Sequence, residues 1–402
     1  MNWAHQINWT KIVLFNFLLV ALLGVLMRYK IGFEFPYFDQ KNIQHAHSHF
    51  AFSGWVSLSL MSLMVSVLKN KISNINIQAF HYIFIAYLVC AWGMFFAFLA
   101  QGYGLYSILF STLSILISFL FCVYYFKAIK NTKDIGSDSW FITALLYNII
   151  STFGTFYLSY MMASKHLDQH HYLASVYWYL HFQYNGWFFF ACMGLFIDYL
   201  QSNNITIRSH NLIFWLFAIS CLPAYGLSIL WLKLPDFIYI IIATAAIAQF
   251  LSWVLFIFYL NHNNFIKNLK LSTIAKLLLL CVGVALTIKF SLQLGSTIPH
   301  VSKLAFGFRP IVIAYLHLVF LAFVSVFLLF YYYIHRIISD KKNVKIGLII
   351  FLSGVFLNEL SLAIQGIASF AYKVIPFINE TLLGISILMF IGLAFINRII
   401  FD

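Results

Sequence analysis

Residues 44–55 read Gln-His-Ala-His-Ser-His-Phe-Ala-Phe-Ser-Gly-Trp, which sets His45, His47 and His49 at the mouth of a long apolar run. A looser copy, Tyr-Leu-His-Phe-Gln-Tyr-Asn-Gly-Trp, occupies 179–187, and a weaker one, Tyr-Leu-His-Leu-Val-Phe-Leu-Ala-Phe, occupies 315–323. Gly and Trp follow His49 and His181 by five and six residues; Ala322 and Phe323 take those places after His317. The intervals are nearly constant, 132 residues from His49 to His181 and 136 from His181 to His317. Three related histidine openings, evenly spaced, predict an internal repeat.

The chain around them is 402 residues long, 63% hydrophobic, 20% aromatic and only 9% charged. Soluble domains carry roughly 25% charged residues, so this composition belongs in a bilayer. Apolar runs of spanning length fall at about 10–29, 46–68, 80–101, 104–126, 139–160, 170–200, 211–232, 237–260, 272–293, 310–334, 346–370 and 379–400. A crossing takes about 20 residues. The expected fold is therefore an all-α polytopic membrane bundle of about 12 transmembrane helices, with residues 1–402 forming one integral membrane domain. The three histidines then sit on helices 2, 6 and 10, as a pseudo-threefold repeat of four-helix units requires. The first helix, lacking a small-residue cleavage pattern, reads as retained rather than as a signal peptide.

The net charge of +13 does not point to nucleic acid, because the basic residues lie in short loops between apolar runs. Loop lysines at a lipid surface are the simpler reading, and their asymmetry sets orientation. Fifteen Lys and Arg fall on the side of the termini and eight on the other, with Lys289 inside helix 9 and expected to snorkel outward. Both termini are expected in the cytoplasm of a bacterial-type inner membrane. His49, His181 and His317 then reach similar depth in the outer leaflet. The five cysteines all lie in apolar runs with no Cys-x-x-Cys, which argues against disulfides, zinc ribbons and covalent haem attachment.

Imidazoles in hydrocarbon are costly unless bonded, and intramembrane ionisable groups are functional candidates by default. Neutral imidazole is the commonest metal ligand, and two of them on one haem iron make an electron-carrying centre. The plainer reading is three histidines hydrogen-bonding between helices.

At the starts of helices 2, 6 and 10 the chain resembles subunit I of the haem–copper oxidases, a group that includes nitric oxide reductase. His47-Ser-His49 with Gly54-Trp55 is similar to the His-x-His…Gly-Trp opening of family-like bacterial proteins. The resemblance implies twelve helices, cytoplasmic termini and pseudo-threefold symmetry. By position it implies that His49 and His317 are the axial ligands of a b-type haem, and that His181 stands where the family has a copper histidine. Two family features are missing. Helix 7 has no histidine pair for copper, and Tyr315 stands where a histidine ligand of a second haem would be; tyrosine can ligate haem iron, so one b haem, or a second beside it, is implied. A terminal oxidase or nitric oxide reductase-like enzyme with a degenerate binuclear site, fed by cytochrome c or quinol, is the activity implied.

Other residues enter with smaller roles. Met161, Met162, His166, Asp168, His170 and His171 form a loop group before helix 6. Its thioethers and imidazoles suit copper, and His170 or His171 near His181 would rebuild a copper site, with His47 a further metal candidate. Arg309 could pair haem propionates. Glu359, with Asn358 and Gln365 on helix 11, is a proton-relay candidate. The alternative function is a copper or haem transporter or assembly protein using the same histidines as substrate ligands. Against transport, the sequence shows no Gly/Pro-broken helix pair of the kind midplane sites use.

Overall fold

A computed structural model describes residues 4–72, 75–130, 136–166, 168–262, 265–302 and 308–401. Lys133 and Lys303, both counted in the charge asymmetry, lie outside the described residues. The long helices are α1 (Ala4–Gly32), α2 (Gln40–Lys71), α3 (Ile77–Gln101), α4 (Leu105–Ile129), α5 (Gly136–Ala163) and α6 (169–202). They continue with α7 (His210–Cys221, extended by a 3₁₀ segment Pro223–Ile229), α8 (Asp236–His262), α9 (Thr273–Gly295), α10 (Arg309–Ile334), α11 (Lys342–Phe370) and α12 (Ile378–Phe401). No strand occurs among the described residues.

Among the described residues, ten helices are long and apolar enough to cross a membrane, and α7 with its extension makes an eleventh. The protein is a polytopic all-α membrane protein. Helix α6 is not in that group because His181, Gln183 and Asn185 interrupt its middle. All three are buried, and every residue from 181 to 197 is buried with them. A helix sheathed by other helices need not face lipid, so it can carry polar side chains that bond within the protein.

Helix α2 starts at Gln40, about six residues before the apolar run begins. Asp39 caps it, accepting from the backbone N–H of Lys41 (2.7 Å) and Asn42 (3.3 Å). His45, His47 and His49 thus lie five to nine residues inside the helix, although at the edge of its apolar run.

The helices form two compact units, the first comprising Met1–Thr132 with Ser325–Asp402 and the second Lys133–Val324. In the first, α1 packs on α2 through Phe17 and Trp55, whose rings stack 4.3 Å apart at 3°. Asn397 of α12 donates to the Leu14 carbonyl at 3.3 Å. In the second, α5 packs on α6, where Trp178 donates to the Ile150 carbonyl at 2.8 Å. Trp253 of α8 donates to Thr287 of α9 at 2.9 Å.

The histidine helices share one backbone feature. Each contains a π-helical turn, at Ala51–Ser57 in α2, Phe182–Phe188 in α6 and Leu318–Ser325 in α10, and no other helix among the described residues does. The turns begin two, one and one residues after His49, His181 and His317. Each contains its small–aromatic pair: Gly54-Trp55, Gly186-Trp187 or Ala322-Phe323. The repeat in sequence is therefore a repeat in backbone geometry. π turns loosen the i→i−4 ladder and recur at functional sites.

The repeat extends to the preceding helices. Asn16 and Asn148 are 132 residues apart, the same interval as His49 and His181. Asn16 donates to the Gly54 carbonyl at 2.8 Å, within the α2 π turn. Asn148 accepts from Gln183 of the α6 π turn at 2.9 Å. A methyl on Gly186 would come within 2.5 Å of Tyr147 Cβ, so α5 and α6 meet there only because the residue is glycine. Trp9 donates to His81 at 3.1 Å, and Trp140 to His210 at 2.9 Å, a second contact repeated between the first and third helices of consecutive four-helix sets.

Helix α7 departs from the expectation of unbroken spans. It bends by 45° between Cys221 and Pro223. Proline has no N–H and its ring clashes with the preceding turn, so the helix cannot continue. The carbonyls of Ala218 and Cys221 find partners elsewhere, accepting from the Tyr147 hydroxyl (2.5 Å) and from His181 (2.9 Å).

Candidate functional site

In the first unit, His45, His47 and His49 occupy one α-helical stretch of α2, all half-buried. His47 Nδ1 lies 3.0 Å from the Val20 carbonyl of α1. A carbonyl only accepts, so Nδ1 carries the proton and Nε2 is the lone-pair nitrogen. His49 and His45, one turn apart, point to the loop between α3 and α4. His49 Nε2 meets the Tyr103 hydroxyl at 3.1 Å, and its ring stacks on Phe98 at 4.3 Å and 18°. The His45 ring meets the edge of Tyr103 at 4.6 Å.

Glu359 is also in this unit, half-buried on α11, and its Oε1 accepts from Asn358 Nδ2 at 3.1 Å. That polar bond is made within α11, and further along the helix the Gln365 carbonyl accepts from Ser369 at 2.8 Å.

In the second unit His181 is buried, 1% exposed, and both its nitrogens are engaged. Nε2 donates to the Cys221 carbonyl at 2.9 Å, and Nδ1 accepts from Asn185 Nδ2 at 3.0 Å. The residue that the resemblance gives to copper thus has protein partners at both ring nitrogens. It caps a carbonyl freed by the α7 break, and neither nitrogen is left for a metal.

His317 has a different setting. Its Nδ1 lies 2.8 Å from the Ile313 carbonyl one turn back, so Nδ1–H donates and Nε2 carries the lone pair. The bond orients the ring and fixes its tautomer. Tyr315 meets Tyr184 edge-on, with ring centres 6.0 Å apart, and the two hydroxyls are hydrogen-bonded. Arg309 is exposed at the first turn of α10, beside Pro310.

The loop group before α6 does not come together. Asp168 caps α6 by accepting from the His171 backbone N–H at 2.9 Å, and that bond holds its carboxyl below the ordinary carboxylate value. His166 bonds the Ser164 carbonyl at 3.0 Å, and His170 stacks on Trp231 at 5.4 Å and 21°. Met161 is buried while Met162 is exposed. His170 and His171 cannot join His181, because ten or eleven residues of one straight helix separate them by about 16 Å.

Lys289 overturns the expectation of a snorkelling side chain. It is 1% exposed, with its amine donating to Gln293 Oε1 at 3.0 Å and lying 4.0 Å from the Phe290 ring centre and 5.6 Å from that of Phe189. It is also within electrostatic range of His181 and Cys221. The lysine thus belongs to the polar interior of the second unit.

Among the described residues, no three His, Cys, Asp or Glu side chains are grouped to hold a metal ion. No protein-family model matches the chain, and no curated protein matches it.

Proposed function

We propose that the chain is a haem-binding integral membrane protein of the haem–copper oxidase subunit I type, handling electrons or a diatomic gas, oxygen or nitric oxide. The observation that carries this reading is the setting of His317, whose Nδ1–H is spent on the Ile313 carbonyl and whose Nε2 is the lone-pair nitrogen. That is the tautomer an axial ligand needs. On α2 the same setting belongs to His47, with its Nδ1 on the Val20 carbonyl. His49, favoured by position, has its Nε2 on Tyr103. In this reading His317 is the axial-ligand residue of the second unit, and in the first unit His47 matches it in tautomer while His49 matches it in sequence position.

A b-type haem supplies a one-electron couple, or an open iron position where one axial site is left vacant. Arg309, exposed at the start of α10, is suited to pair propionates. Glu359 is the proton-relay residue of the reading, and Tyr315, hydrogen-bonded to Tyr184, is the candidate ligand should a second haem bind. The membrane would be a bacterial inner membrane with both termini cytoplasmic, and the electron donor cytochrome c or quinol.

Purified full-length protein from a haem-replete host tests this by its reduced-minus-oxidised spectrum and pyridine haemochrome. A b-type signal that falls in His317→Ala and His47→Ala supports it; a flat Soret region ends it.

One observation favours transport as a second reading. The 45° break in α7 beside buried polar side chains is the kind of discontinuity that midplane substrate sites use. Copper or haem flux in proteoliposomes, lost on substitution of His317 but without stoichiometric bound haem, would favour it.

A further inference from the structure

Two imidazoles and a phenol converge in the first unit away from His47. His45 and His49 are four residues apart within the α-helical part of α2, so their rings share one face about 6 Å apart at Cβ. Tyr103 closes on that face from the α3–α4 loop. Its hydroxyl is 3.1 Å from His49 Nε2, and its ring centre is 4.6 Å from that of His45 at 70°.

The geometry points to a site for a divalent transition metal of the copper(II) or zinc(II) class, formed by His45, His49 and Tyr103.

The loop that delivers the phenol is built to hold one position. Gly102 has φ +60°, and a methyl there would lie 2.5 Å from Asn42 Oδ1, so this turn against α2 requires glycine. Ser107 donates to the Gly102 carbonyl at 2.6 Å, and the Gly104 N–H donates to Ser107 Oγ at 2.8 Å. Phe98, fully buried, lies under both imidazoles, 4.3 Å from His49 and 5.9 Å from His45. The rings are thus held from below and open above, where Tyr103 is 51% exposed. The His45 side chain makes no hydrogen bond among the described residues, so it brings a donor nitrogen that the fold does not use.

The donor set is two neutral nitrogens and one oxygen, which suits copper(II) and zinc(II) over hard cations. On binding, the phenol gives its proton to solvent and the phenolate oxygen takes its place on the metal. His49 exchanges the Tyr103 hydrogen bond for a metal bond of about 2 Å. No oxidant or reductant is involved. The site does not rest on the haem reading, since His47 and His317 lie outside it.

The test uses full-length protein, stripped with chelator and titrated with copper(II) alone, in a His166→Ala/His170→Ala/His171→Ala background that removes the exposed loop imidazoles. We expect one copper per chain, nitrogen couplings from two imidazoles in the paramagnetic resonance spectrum, and a phenolate-to-copper charge-transfer band. Zinc(II) should compete for the same site only in large excess, since such donor sets bind copper(II) more tightly. His45→Ala should weaken binding by about tenfold or more. Tyr103→Phe should erase the charge-transfer band while the nitrogen couplings persist, which also shows that the variant is folded. Haem content should be unchanged in both variants. Copper affinity unaltered by His45→Ala, or no charge-transfer band in the parent, overturns the site. Loss of haem in His45→Ala would also overturn it, because the cluster would then be part of the haem pocket.

Discussion

The Lys289 amine donates to Gln293 at 3.0 Å, its one hydrogen bond among the described residues, in an interior where the side chain is 1% exposed. An ammonium has three donors, and the remaining contacts here are ring faces and a neighbouring histidine and cysteine. Even a buried ion pair is often replaced by apolar residues of similar volume at no cost or with a gain of about 1–4 kcal/mol, and a buried amine without a counter-charge is harder to solvate than a paired one. Lys289→Met should therefore melt at or above the parent temperature in detergent. Marked destabilisation would mean that the amine holds the second unit together.

His181 should act as a structural residue. Its removal leaves the Cys221 carbonyl without a donor beside the α7 break. An unsatisfied buried group costs about 1–3 kcal/mol, and the cavity adds to this. His181→Ala should lower thermal stability accordingly without changing metal or haem content, and His181→Gln, which keeps a donor, should recover part of the loss. Equal stability with lost metal would reverse the assignment.

The π turns depend on the helices that precede them. Asn16→Leu removes the donor to the Gly54 carbonyl and should cost about 1–3 kcal/mol. Gly186→Ala forces a methyl against Tyr147 and should cost about 1–3 kcal/mol by overpacking. Chemical denaturation of the two variants measures both.

Asp168 gives a pH signature at the start of α6. Its carboxyl is held below the ordinary value chiefly by the His171 N–H, so the charged form favours the folded cap. That stability is fully present above the unfolded carboxylate value, about 3.9, and is lost as pH falls through the lower folded value. The melting difference between parent and Asp168→Ala should be constant near neutrality and close on acidification. Asp168→Asn should retain a cap at neutral pH and show less of this dependence. A difference that grows as pH falls would refute the cap.

The spans were legible because an apolar run of about 20 residues has few alternatives, and the intervals of 132 and 136 residues marked the three helices that bend into π turns. What the side chains do there was less legible. His49 and His317 look alike in sequence, yet one meets a phenol hydroxyl and the other its own helix carbonyl. His181 is explained by a proline forty residues away, whose break frees the carbonyl that it caps. Lys289 sits near a helix end, where snorkelling is the default, and only the packing of Phe189 and Phe290 shows that it turns inward. The equal spacing of Asn16 and Asn148 was present in the sequence. It becomes informative only once both are seen bonding to π-turn residues.

The most direct test of the central claim is haem content per chain, by pyridine haemochrome, for the parent and for His317→Ala made in a haem-replete host. The account predicts stoichiometric b-type haem in the parent and its loss in the variant. Haem that survives loss of the His317 imidazole, or a parent protein with none, would contradict it.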